Sequence, residues 1–140
     1  MGSTRASTLT LAVAAGAALW ILTPRVAGAQ EYQANVMEWM VLPKFCWKQF
    51  NDKFTGPEYT IGGCGVGMNH YCGALLDLQR SKRMKTDYER RAHLVVARRE
   101  TQYTLSAMAR DGVSETCPIA KNVKATLADI ELQFKLHNIK

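Results

Sequence analysis

Four cysteines constrain the fold of this 140-residue chain more than any other feature of its sequence. Cys46, Cys64, Cys72 and Cys117 all follow an apolar leader, and an even number of cysteines behind an export signal predicts two disulfides. The sequence has no Cys-x-x-Cys pair, so it indicates neither a thioredoxin-type redox site nor a zinc ribbon. The pattern therefore predicts a small domain that is cross-linked in an oxidising compartment.

The leader has the three parts of a secretory signal peptide. Arg5 supplies a positive charge, residues 9–22 are almost entirely apolar, and Ala27-Gly28-Ala29 has the small residues that signal peptidase prefers. The apolar run is shorter than the ~20 residues that a membrane-spanning helix needs. We therefore predict a signal peptide over residues 1–29 and one exported domain, periplasmic or secreted, over residues 30–140. An uncleaved N-terminal membrane anchor is the alternative.

Hydrophobic periodicity in the rest of the chain predicts an all-α fold of about four to five antiparallel helices. No segment shows the long alternation of polar and apolar residues that is typical of a half-buried strand. Thr86 or Asp87 is suited to begin the longest helix, and Gly112 is suited to end it. The predicted helices are a short one within residues 31–42, with Val36, Met37 and Met40 on one side, a second after Pro43, and three more over residues 66–82, over residues 88–110 and from residue 117 onward.

The helix lengths also predict how the cysteines pair. Cys46 lies about six residues before the end of the second helix and Cys72 about six residues into the third, so both are ~9 Å from the same end of an antiparallel hairpin. Cys64 and Cys117 lie at that end as well. Because a disulfide needs Cα atoms ~5.5 Å apart, this favours Cys46–Cys72 with Cys64–Cys117. The alternative, Cys46–Cys64 with Cys72–Cys117, mismatches one pair by about two helical turns.

Two stretches of the sequence resemble the helices of tetratricopeptide repeats. "MNHYCGALLDLQRSKR" resembles the first helix of a repeat, with Cys72-Gly73 in the place of the motif's Leu-Gly pair. "HLVVARRETQYTLSAM" resembles the second helix, with Ala97 at the small position where the two helices cross. The likeness is to small secreted bacterial proteins of this class and covers about residues 66–134. It implies a helical hairpin array that acts as a scaffold or adaptor and not as a catalyst.

The segment "CGVGMNHYC" has a second interpretation. Met68, His70 and Cys72 are soft or imidazole ligands of the kind that bind Cu(I), so a copper-handling periplasmic protein is the alternative function. Met68 and Cys72 share a helix face, but His70 points away from it, and a copper site would need a free Cys72 thiol. The same geometry argues against Cys72 as a nucleophile with His70 as its base. We therefore expect a domain without a metal or another cofactor.

A basic turn joins the third and fourth predicted helices. It contains Arg80, Lys82, Arg83 and Lys85, and we expect all four side chains to be exposed. An exported protein can use such charges to bind anionic lipid headgroups or an acidic protein surface. Nucleic acid is not an expected partner, because the chain carries an export signal and no nucleic-acid-binding motif.

These features predict a non-enzymatic, exported module that binds another protein. The sequence has no phosphate-binding loop, since "GGCGVG" is not followed by Lys-Ser or Lys-Thr, and it has no nucleophile elbow. The predicted partner is a protein of a membrane or cell-envelope complex, in which this chain is an accessory subunit or scaffold.

Overall fold

The computed structural model describes residues 33–139, and this part of the chain is all-helical, with five α-helices and no strand. The prediction of an all-α fold with four to five helices and two disulfides is confirmed. The predicted signal peptide lies outside the described residues. The helices are α1 (Val36–Trp39), α2 (Trp47–Phe50), α3 (Met68–Arg83), α4 (Asp87–Arg110) and α5 (Ala120–Leu136), with 3-10 turns at Lys44–Cys46 and Pro57–Tyr59.

Local sequence signals account for the ends of α4. The Thr86 hydroxyl accepts a hydrogen bond from the Glu89 N–H, which caps the first turn as predicted. Gly112 follows the helix with a φ of 69°, a left-handed conformation that glycine adopts without strain. The start of α5 is later than predicted, because a turn closed by the Cys117 N–H and the Val113 carbonyl precedes it.

The three long helices pack as an antiparallel unit in which α4 contacts both α3 and α5. Leu94, Ala97 and Thr101 of α4 are completely buried and lie on the inner face of this helix. Leu94 shares a cluster with Leu78 of α3 and Ile130 of α5. Burying one such aliphatic side chain contributes about 2 kcal/mol to the stability of the unit.

An N-terminal layer covers the other side of α3. Trp39 and Leu42 are buried there against Cys72 and Leu76 of α3. The Trp47 indole lies edge to face with Trp39, at a ring-centroid distance of 5.6 Å, and its Nε1–H donates to the Leu42 carbonyl. These contacts hold a segment with little regular structure against the long helices.

The first helix is shorter than predicted and faces differently. It has a single turn, which begins with a reciprocal capping box between Asn35 and Glu38. Val36, Met37 and Met40, which the sequence places on one side of a longer helix, are exposed. The buried contact of this segment is made by Trp39 instead, and the helix ends with Met40 as its C-cap.

Two disulfides cross-link the domain. Cys46 is bonded to Cys72 with a Cα–Cα distance of 5.4 Å, and Cys64 is bonded to Cys117 with a distance of 4.5 Å. The pairing expected from the helix lengths is therefore confirmed. Disulfides persist in oxidising environments, so these two indicate a non-reducing compartment. Within residues 33–139, no helix has both the length and the apolar character needed to span a bilayer.

Candidate interaction surfaces

Arg80 of the basic turn links two parts of the fold. Its guanidinium donates to both carboxylate oxygens of Glu38, at 2.8 and 2.9 Å, and to the Gln33 carbonyl at 2.7 Å. The side chains of Arg80 and Glu38 are only 24% and 13% exposed. The hydrogen bonds from Arg80 lower the pKa of Glu38 to about 2. The expectation that Arg80 is exposed was wrong, because α1 lies against the last turns of α3.

The other residues of the basic turn remain at the surface, as predicted. Lys82 donates to Asp129 of α5 at 2.9 Å, and Arg83 donates to Gln79 at 3.2 Å. Lys85 is exposed in the loop itself. Exposed ion pairs such as Lys82–Asp129 stabilise a fold by less than about 1 kcal/mol. The basic turn therefore has fewer charges available for a partner than the sequence suggests.

The three residues of the copper alternative do not converge. The Cys72 sulfur is bonded to Cys46 and is buried, so it offers no thiolate to a metal. His70 faces α4, whereas Met68 packs against the apolar cluster around Cys64. Among residues 33–139, no three His, Cys, Asp or Glu side chains are grouped so that they could hold a metal ion. A Cu(I) site at these positions would require reduction of the disulfide.

A carboxylate–histidine pair with a buried carboxylate crosses the interface between α3 and α4. His70 Nδ1 lies 2.5 Å from Glu100 Oε2, and Arg99 Nε donates to Glu100 Oε1 at 2.8 Å. Burial alone would raise the pKa of Glu100, but the hydrogen bonds from His70 and Arg99 together hold it below its usual value. Glu100 is therefore ionised and accepts from the Nδ1–H of His70. The Tyr103 ring packs on the imidazole, with 4.0 Å between ring centroids.

A second pair lies two helical turns away on the same side of the hairpin. His93 Nδ1 on α4 is 2.7 Å from Asp77 Oδ1 on α3, and Asp77 is buried. Burial raises the pKa of Asp77, and the hydrogen bond from His93 only partly opposes this effect. Within residues 33–139, neither His93 nor His70 hydrogen-bonds a serine, threonine or cysteine. The arrangement satisfies buried carboxylates between helices and contains no paired nucleophile.

The opposite pKa shifts predict that the two buried carboxylates respond differently to neutralisation. At pH 7, Glu100→Gln should lower the free energy of unfolding by ~2 kcal/mol, because it removes charge-assisted hydrogen bonds. Asp77→Asn should cost less than ~1 kcal/mol, because it also removes a poorly solvated charge. Urea denaturation of both variants at pH 7 and pH 4 measures the difference.

The sign of the pH dependence follows from the same shifts. A lowered folded-state pKa means that Glu100 contributes stability above its unfolded pKa and loses it as the pH falls. The raised folded-state pKa of Asp77 means that this residue stabilises the fold at pH values below its unfolded pKa. This stabilisation is lost as the pH rises through the folded-state pKa. The difference in free energy of unfolding between the parent and Glu100→Gln should therefore be smaller at pH 4 than at pH 7. A larger loss for Asp77→Asn than for Glu100→Gln at pH 7 would contradict this assignment.

One side of α4 is a continuous exposed surface, which we call the outer face of α4. Its apolar and aromatic residues recur at helical spacing, and Tyr88 is 85% exposed. The residues of this face include no acidic side chain. Tyrosine and arginine are enriched at the centres of protein–protein interfaces, so the composition favours a docking surface. The outer face consists of Tyr88, Arg91, Ala92, Val95, Arg99, Gln102, Tyr103 and Ser106.

A second exposed apolar surface lies on the N-terminal layer, and we call it the apolar turn. It consists of Val36, Met37, Met40 and Val41, which are 56%, 75%, 49% and 61% exposed. Single exposed apolar residues are ordinary in soluble proteins, but adjacent ones in a contiguous patch mark an interaction site.

Sequence reasoning did not find the apolar turn or the two carboxylate–histidine pairs. His93 is isolated in the sequence, because its partner Asp77 lies on another helix. One signal in the sequence could have identified the pairs. His70 and Asp77 are seven residues apart on α3, and His93 and Glu100 are seven residues apart on α4. In an antiparallel hairpin, such equal spacing brings His70 opposite Glu100 and Asp77 opposite His93. No comparable signal existed for the apolar turn, since the direction of its side chains depends on where α1 ends.

No protein-family model, curated protein or solved structure matches this chain.

Proposed function

We propose that this chain is an exported, non-enzymatic module that binds another protein, as an accessory subunit or scaffold of a cell-envelope complex. The outer face of α4 is the observation that carries the proposal. A helix that packs on two neighbours and still presents tyrosine, valine and arginine side chains to solvent has the composition of an interface centre.

The charge of the outer face indicates the chemistry of the partner. Arg91 and Arg99 lie about two turns apart on this face; both are exposed, and Arg99 also pairs with the Glu100 carboxylate. The fitting partner surface therefore has apolar side chains flanked by carboxylates, which would be complementary in both shape and potential. The tetratricopeptide-like hairpin expected from the sequence is consistent with a scaffold of this kind.

Other features support a binding function over catalysis. All four cysteines are disulfide-bonded, which removes the candidate thiol nucleophile Cys72. His70 and His93 are accounted for by buried carboxylates between helices. The disulfides, together with the predicted signal peptide, support a periplasmic or secreted location.

Introducing negative charge on the outer face tests the proposal. The double variant Tyr88→Glu/Val95→Glu should bind envelope proteins at least ~10-fold more weakly, since it places carboxylates where acidic partners dock. Its stability should change by no more than ~0.5 kcal/mol per site, because both positions are exposed and glutamate favours helix. Photo-crosslinking from position 103 of the otherwise unchanged chain, followed by mass spectrometry, identifies the partner, and titration of that purified partner measures the affinity.

Leu132→Glu/Leu136→Glu is the matched control. Both leucines are exposed on α5 and are four residues apart, so they share one side of that helix, but they lie off the outer face of α4. This control should bind like the parent. Equal affinity of the parent and of Tyr88→Glu/Val95→Glu would contradict docking through the outer face.

A further inference from the structure

The apolar turn is held in a fixed orientation with its side chains pointing outward. The Arg80 guanidinium binds the Glu38 carboxylate and the Gln33 carbonyl, which ties the segment to α3 at two points. Trp39 and Leu42 are buried on its inner side. The exposure of Val36, Met37, Met40 and Val41 is therefore a property of the folded structure and not of a frayed end.

Cationic side chains surround the apolar turn. Lys44 is three residues after Val41, and Lys48 is four residues after Lys44. Both lysines are exposed. Arg83 lies three residues after Arg80 on α3, so it is on the same side of the helix as the guanidinium that binds Glu38. Glu38 is the only acidic residue between positions 33 and 50, and Arg80 neutralises it. The surface thus combines protruding apolar side chains with a net positive border.

We propose that the apolar turn docks on the surface of an anionic lipid bilayer, with Val36, Met37, Met40 and Val41 in the interfacial region and Lys44, Lys48 and Arg83 against the headgroups. Short aliphatic and thioether side chains enter the headgroup boundary without leaving a polar group unsatisfied. Each nearby cation strengthens binding about 5-fold, which corresponds to ~1 kcal/mol at an anionic surface. This surface shares no residue with the outer face of α4.

Residue-resolved oxidative footprinting of the full chain tests the docking. The protein is oxidised with hydroxyl radicals in buffer, with phosphatidylcholine vesicles, and with vesicles of equal parts phosphatidylglycerol and phosphatidylcholine. Met37 and Met40 should be oxidised at least 5-fold more slowly with the anionic vesicles only. Tyr88 and Leu132 should react at the same rate in all three conditions. The readout remains valid if the leader is retained, since it reports on individual side chains.

Two variants separate the contribution of the cations to lipid binding from that of the apolar side chains. Lys44→Gln/Lys48→Gln/Arg83→Gln should weaken sedimentation with anionic vesicles roughly 100-fold, as three cations are lost. Met37→Ser/Val41→Ser should weaken it at least 10-fold, whereas the control Leu132→Ser/Leu136→Ser should bind like the parent. Circular dichroism and thermal melts confirm that each variant is folded.

Four results would overturn the proposal. The first is unchanged oxidation of Met37 and Met40 while the protein sediments with anionic vesicles, and the second is no sedimentation at all. The third is equal protection by phosphatidylcholine alone, which would exclude recognition of anionic lipid. The fourth is protection that rises with protein concentration in the absence of lipid, which would assign the apolar turn to a second copy of the chain.

Discussion

Replacing Cys72 by serine is expected to lower the free energy of unfolding by ~3 kcal/mol or more. The Cys46–Cys72 bond closes a loop with a sequence separation of 26 residues. Chain-entropy arithmetic assigns ~3.5 kcal/mol to a cross-link of this length. The substitution also leaves a hydroxyl and an unpaired Cys46 among apolar side chains, since both positions are buried. A loss of this size is a large fraction of the stability of a small domain.

Thermal and urea denaturation of the parent and variant measure this effect, and the melting temperature should fall by about 10 °C or more. The double variant Cys46→Ala/Cys72→Ala is the control, because it removes the cross-link without leaving a thiol or a hydroxyl. The stability of this double variant should lie between that of the parent and that of Cys72→Ser. An unchanged melting temperature for Cys72→Ser, or alkylation of two cysteines in the unfolded, unreduced parent, would refute the disulfide.

Replacing Arg80 by glutamine is expected to destabilise the fold by ~2 kcal/mol at neutral pH. The change leaves the mostly buried Glu38 carboxylate without its bidentate partner and frees the Gln33 carbonyl. Removing one partner of a buried ion pair is more damaging than removing both, because the remaining charge has lost its solvation. Lys82→Gln/Lys85→Gln in the same turn should cost no more than ~0.5 kcal/mol per site, since these side chains are exposed.

The pH dependence distinguishes the ion pair from a general packing effect. The folded-state pKa of Glu38, about 2, is lower than the ordinary value of 4.5. Its contribution to stability is therefore present above pH 4.5 and is lost as the pH falls toward 2. The difference between the parent and Arg80→Gln should shrink over this range. Adding Glu38→Gln to Arg80→Gln should recover part of the loss at pH 7, and a double variant less stable than Arg80→Gln would contradict the ion-pair explanation.

The sequence alone determined the features that depend on neighbouring residues. The inner face of α4, with Leu94 and Ala97, follows from helical periodicity, and the Thr86 cap and the left-handed Gly112 follow from local backbone chemistry. The disulfide pairing was also predictable, because the constant rise of a helix converts residue numbers into heights along a hairpin.

Only the tertiary structure decided which side chains meet across the layers. Arg80 and Glu38 are far apart in sequence, and a charged residue in a turn is ordinarily solvated, so nothing local distinguishes Arg80 from Lys85. Met37 is exposed because Trp39, on the same single turn of α1, is the residue that packs against α3. Both outcomes depend on how separate segments are placed against one another, and that placement minimises exposed apolar area and unpaired charge over the whole domain. No short stretch of residues specifies it.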